Sequence, residues 1–135
     1  MATPNENVEV ARRWWARFNE SGEPALDLCD EEVEMWNPDR FLVRGPYHGH
    51  EGIRRWRDDV FDVFDDASVE PEEILDAGDG ETVVMFLRLR GTARHTRIKV
   101  DEPWAAVCKL REGKLLRAQG YVSRRDALEA AGLRE

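Results

Sequence analysis

Val33-Glu34-Met35-Trp36-Asn37-Pro38, resumed as Arg44-Gly45-Pro46-Tyr47-His48-Gly49-His50-Glu51-Gly52-Ile53-Arg54-Arg55-Trp56, is the stretch that decides how this chain reads. Val33 to Asn37 has the character of a short apolar strand. Pro38, which has no N–H to give to a ladder, stops it. Gly45, Gly49 and Gly52 allow the reversals of a loop. A helix is expected from His50 or Glu51, because Ile53, Trp56, Val60 and Phe64 recur at helical spacing. The polar ends of apolar elements therefore meet at one place, as the mouth of a small-molecule pocket requires.

On the N-terminal side, Asn5 to Asn19 is expected to be helical. Val8, Ala11, Trp15 and Phe18 form its stripe, Trp14 widens it, and Gly22 stops it. Pro24 fits the first turn of a short second helix running to Asp30, with Leu26 and Leu28. On the C-terminal side the period changes to two. Ser68 to Leu75 reads as a strand, Asp76-Ala77-Gly78-Asp79-Gly80 as a hairpin turn, and Glu81 to Arg90 as the return strand. Thr82, Val84, Phe86, Arg88 and Arg90 share one face of that strand, and Val83, Met85, Leu87 and Leu89 the other. After a polar connection from Gly91 to Arg97, Ile98 to Arg111 is a strand expected to bulge or break near Pro103. Glu112-Gly113 turns into Lys114 to Ser123. Ser123 then caps a last helix with Asp126 three residues on, and Gly132 closes it. Helices segregated from consecutive hairpins give an α+β class.

The 135 residues suit one domain spanning 1–135, with enough chain for a core of its own. A formal charge of −8 argues against binding a nucleic-acid backbone or an anionic membrane surface. No apolar run approaches the roughly 20 residues of a membrane span. Met1 to Glu9 is polar without a signal-peptide core, so a cytoplasmic location is expected. Cys29 and Cys108 are expected as buried free thiols with no redox or nucleophilic role, a disulfide being the alternative. The acid-rich run from Asp58 to Glu73 reads as a solvated face.

The arrangement resembles the SnoaL-like branch of the nuclear transport factor 2-like superfamily, related to ketosteroid isomerases and polyketide cyclases. Ala11 to Gly22 resembles its first helix and stop. Val33 to Pro38 followed by Tyr47 to Trp56 resembles its strand and x-G-x-x-G-I-x-x-[FW] unit. Asp76 to Asp79 resembles its central hairpin, and Arg111 to Lys114 through Gly120 to Ser123 its final hairpin and helix start. The resemblance covers nearly the whole chain. It implies a cone in which a curved antiparallel sheet wraps the N-terminal helices around an internal, mostly apolar cavity. It also implies a homodimer through the outer sheet face, where Leu115, Arg117, Gln119 and Tyr121 are placed by alternation.

The chemistry does not carry over with the fold. Asn37 stands where the isomerase relatives carry their carboxylate base, Trp15 where they carry a tyrosine donor, and Ala106 where its partner acid falls. Gly120 replaces the aspartate that cyclase and epoxide-hydrolase relatives place before the tyrosine here numbered 121. What the residues leave is an aromatic cavity. Its expected wall is Trp15, Met35, Trp56, Phe86, Trp104, Ala106, Gly120 and Val122, with Cys108 and Ala118 beside them. Asn37, His48 and Arg88 are the candidate catalytic groups: Asn37 and Arg88 to polarise an oxygen, His48 as an acid–base group near neutral pH. A buried Arg88 needs an acid, Asp101 or Glu102, or an anionic or carbonyl ligand. His48, His50 and Glu51 read as loop and cap and not as a metal site, and no cofactor is expected. Two functions stay open. One is an isomerase-, cyclase- or hydrolase-like enzyme acting on a small apolar or aromatic molecule. The other is a non-catalytic binding or accessory module.

Overall fold

The computed structural model describes residues 4–39 and 44–133, with side chains from Glu6 onward. Helix α1 is Pro4–Ser21. Its buried stripe is Val10, Ala11, Trp14, Trp15 and Phe18, as 3.6-residue periodicity demands. Gly22 ends it with φ +73° and an N–H bonded to Phe18 O at 2.8 Å. Two asparagines fasten α1 to the sheet. Asn7 Nδ2 donates to Gly80 O at 3.0 Å, and the Asn19 amide donates to Val69 O (2.8 Å) and accepts from Val69 N (2.9 Å) like a strand neighbour.

The expected second helix shrinks to a 3-10 turn, Leu26–Leu28, because the strand begins earlier than expected, at Cys29. Strand β1 is Cys29–Trp36 and β2 is Tyr47–His48; helix α2 is Gly49–Val63. Then come β3 (Ser68–Asp76), β4 (Thr82–Thr92), β5 (Lys99–Arg111), β6 (Lys114–Tyr121) and α3 (Arg124–Ala130). Ser123 caps α3 as expected, its hydroxyl accepting from Asp126 N at 3.1 Å.

The six strands form one sheet in the order β2-β1-β6-β5-β4-β3. Pairing is antiparallel except between β1 and β6, which run parallel, so the sheet is mixed rather than purely antiparallel. β6 returns from the meander alongside β1 with α2 and four strands between them in sequence, and no hairpin constrains their relative direction. The sheet is curved and unclosed, with α1 and α2 against one face and α3 against the other, an α+β architecture.

Registers correct two expectations. β4 and β5 pair without a break from Thr82↔Lys109 to Thr92↔Lys99, straight through Arg88↔Pro103. Pro103 is tolerated because β6 reaches only as far as Tyr121↔Ala105, so its missing N–H falls beyond β6. The irregularity lies instead between Lys109 and Leu110, where the β6 register slips from Arg117 to Leu115. That bulge turns Leu115 off the outer face, where alternation puts it, and into the core at 8% exposure.

Candidate functional site

The inner core is aromatic. Trp56 from α2 packs edge-on against Trp14 and Trp15, with ring centroids 5.9 and 6.2 Å away, and tilts against Phe18 at 5.4 Å. Three indole N–H groups are satisfied within the protein. Trp14 Nε1 reaches Cys29 Sγ at 3.3 Å, Trp15 Nε1 reaches Met85 Sδ at 3.2 Å, and Trp56 Nε1 reaches Asn37 Oδ1 at 3.0 Å. Sulfur is a weak acceptor, yet each of these contacts spares a buried donor its full desolvation cost.

Between these rings and the inner sheet face lies a cavity of about 60 Å³. Helix α1 contributes Val10, Ala11, Trp14 and Trp15; β1 and the residues after it contribute Met35, Asn37 and Pro38; α2 contributes Trp56. The floor comes from Met85 and Leu87 on β4, Trp104, Ala106, Cys108 and Leu110 on β5, and Leu115, Ala118 and Gly120 on β6. No charged side chain lines it among the described residues, and Asn37, 8% exposed, brings the one side-chain amide.

Seven of the expected site residues are thus brought together: Trp15, Met35, Asn37, Trp56, Trp104, Ala106 and Gly120. Four are placed elsewhere. Phe86 faces the opposite side of the sheet, where it packs with Val84, Ala105, Ala127 and Leu128 and lies 4.0 Å beneath the Arg124 guanidinium. The register explains this, because the inward Ala106 and Trp104 pair with Met85 and Leu87, and paired residues share a face. Arg88 follows Phe86 to the outer face and binds Asp101 through Nε at 2.7 Å, the partner expected of it but in the wrong place for a cavity role. His48 caps the start of α2 through its backbone. Its side chain is 58% exposed and lies between Glu34 (3.5 Å) and Glu32 (3.8 Å). Val122 follows the end of β6 and is 44% exposed. His50 Nε2 sits 3.0 Å from Cys29 O, tying α2 to β1, and no group of three or more metal-ligating side chains converges among the described residues.

Two residues behind the wall escape sequence reasoning. Tyr47, 2% exposed, donates its hydroxyl to Asp59 Oδ2 at 2.7 Å. Burial first, then Asp59, pushes the phenol well above its ordinary pKa. Asp59 stands three residues after Trp56 on one helix face, the signal that could have separated it from the solvated acids around it.

Both cysteines are free and buried. Burial pushes the Cys29 thiol up to about 11 and the Cys108 thiol up to about 12. Above the ordinary thiol value the unfolded chain releases protons that the folded chain keeps, so stability is expected to fall as pH rises from about 9 toward 11 and 12. At pH 8 a thiol reagent should label neither cysteine without denaturant. Fast labelling of the native protein, or a urea midpoint that rises between pH 8 and 10, would contradict this.

No curated protein matches this sequence. Solved structures do. A protein from Catenulispora acidiphila with a ketosteroid isomerase-like fold, in complex with trimethylamine, superposes with TM-score 0.73 at 19% identity, over 98% of this chain and 96% of that one. SalBIII, an epoxide hydrolase/cyclase-like enzyme of pyran ring formation in salinomycin, gives 0.73 at 20%, over 90% and 94%. An NTF2-like protein of unknown function from Burkholderia pseudomallei gives 0.75 at 18%, over 98% of both. At such identities these likenesses establish the fold and leave the chemistry to the residues. The model of the SnoaL-like domain matches residues 11–118, and the chain therefore belongs to the SnoaL-like domain family, on the NTF2-like α+β fold.

Proposed function

We propose that this chain binds a small, largely apolar molecule in the cavity between α1, α2 and the inner sheet face, without acid–base catalysis. The observation that carries the reading is the wall itself: apolar and aromatic throughout, with the Asn37 amide set into it. A pocket of that make-up holds a ligand by its apolar surface and orients it by one polar group. The trimethylamine held by one structural neighbour supports a small organic ligand. Binding is favoured over catalysis because His48 lies among surface glutamates and Arg88 is held by Asp101, both away from the cavity. The reading includes a cytoplasmic protein and a homodimer through the outer sheet face. Half-buried Val107, Gln119 and Tyr121 there would supply an amphipathic contact beside α3. No helix among the described residues is long and apolar enough to cross a membrane.

Tryptophan fluorescence against a panel of small neutral organic molecules tests the binding, and native mass spectrometry tests the dimer. Emission should change on binding, since three indoles line the cavity within touching distance of one another. His48→Ala and Arg88→Ala are expected to leave the response unchanged. A response lost in either variant would restore the catalytic reading, and a flat response across the panel would remove the binding one.

A further inference from the structure

The cavity floor is flat where the rest of the inner core is bulky. Cys108 on β5 pairs with Ala118 on β6, and Ala106 lies two residues before Cys108 on the same inner face. Three small side chains thus adjoin one another on a bed of about 5 by 7 Å, one strand spacing by two residue rises. Larger side chains stand around it. Met85 on β4 pairs with Ala106, and Met35 on β1 pairs with Ala118. Leu110 and Leu115, themselves a pair, close one end, and Trp104 stands at the other. The remaining corner, Gly120, is covered by Pro38, since a Cβ there would meet the proline ring at 2.6 Å.

The space above this bed is shallow. The Trp15 indole comes down from α1 to Met85 Sδ at 3.2 Å, which fixes that sulfur at the rim and brings the helix layer close over the sheet. At about 10–15 Å³ for each water, a cavity of about 60 Å³ equals roughly five waters, the bulk of a single six-membered ring. The two rim methionines favour an aromatic one. Thioether sulfur is polarizable and contacts an aromatic ring well at its edge, about 5 Å away. A ring lying flat on the bed turns its face to the Ala106 and Ala118 methyls and its edge to Met35 and Met85.

We infer that the cavity is a seat for one flat aromatic ring, lying face-down on Ala106, Cys108 and Ala118 between the rims formed by Met35 and Met85, and that it discriminates against saturated rings of the same skeleton. The inference rests on the cavity being a binding site, and it names the class of its ligand. A saturated ring is puckered and thicker, and an interior packed as densely as an organic crystal yields little to extra thickness.

The test compares toluene with methylcyclohexane, which share a carbon skeleton. Titrations of the full chain are read from the alanine and methionine methyl signals by NMR. Apolar area alone favours methylcyclohexane, so the order of the two affinities reports shape. Toluene should bind about tenfold more tightly, a difference in the range of one overpacked contact. The Ala106 and Ala118 methyls should move upfield and the Met35 and Met85 methyls downfield, the ring-current pattern of a ring met by its face and by its edge. Met35→Leu, a volume-conserving change, should weaken toluene and leave methylcyclohexane unchanged. Ala118→Val, with its fold checked by the same spectrum, should abolish toluene binding. Equal binding, or tighter binding of methylcyclohexane, would overturn the preference for a flat ring while leaving the cavity a binding site. Upfield methionine methyls with unmoved alanine methyls would overturn the face-down seat. Unaltered toluene affinity in a folded Ala118→Val protein would overturn the placing of the bed, and in Met35→Leu the part played by sulfur. Failure of both compounds to move any methyl signal would overturn the binding reading and this inference with it.

Discussion

Replacing Trp56 by alanine is expected to lower folding stability by about 3–5 kcal/mol, the range for truncating a fully buried large aromatic. Trp56 is 2% exposed and touches the rings of Trp14, Trp15 and Phe18, so its removal opens the centre of the inner core. The change also takes the indole donor from Asn37 Oδ1. Against a typical total of about 5–15 kcal/mol for a domain, this is a large fraction, and partial unfolding at room temperature is a realistic result. Trp56→Phe separates the two contributions. It keeps most of the ring packing and loses the N–H, so about 1–3 kcal/mol is expected. Urea denaturation of the three proteins measures both. An alanine variant within about 1 kcal/mol of the natural protein would mean that the site collapses around the gap and that Trp56 is not the keystone of the cavity.

Adding a side chain at Gly120 is expected to have the second largest effect. A Cβ there would lie 2.6 Å from Pro38 Cδ and 2.9 Å from Pro38 N, closer than a carbon in non-bonded contact comes to other heavy atoms. Gly120→Ala should cost about 1–3 kcal/mol through overpacking. Pro38→Ala should restore only part of this, because the backbone nitrogen at 2.9 Å remains after the ring is gone. Gly120→Asp should be worse than Gly120→Ala, since it places a carboxylate in a wall with no cation among the described residues. Pro38 occupies the space the acid would need. A denaturation midpoint for Gly120→Ala equal to that of the natural protein would refute this account of the strand crossing.

Much of the fold was legible because local signals agreed. Gly22, Gly132 and the pair Ser123 and Asp126 mark helix ends by chemistry that acts within a few residues, and the structure ends or caps the helices there. The inward set on β5, Trp104, Ala106 and Cys108, was legible by period two, with exposed Lys109 and Arg111 fixing the face of its far end. Strand β4 was not. Thr82 to Leu87 is buried on both sides, because α3 covers the outer face with Ala127 and Leu128 while α1 and α2 cover the inner one. Alternation then separates the two faces and gives no sign of which is inward, and Phe86 and Arg88, expected inward, lie on the outer one. Leu115 was misplaced for a different reason: a bulge inserts one residue, and everything beyond it changes face.

Taken alone, the sequence determined the α+β class, the family resemblance and several helix ends. These are properties of residue identity and of short-range periodicity. Tertiary structure alone decided the parallel join of β1 to β6, the face of Phe86, the surface position of His48 and the hydrogen bonds from Trp56 to Asn37 and from Tyr47 to Asp59. Each of those depends on what a distant segment places opposite a residue. A hydrogen bond acquires a direction only when both its partners are known.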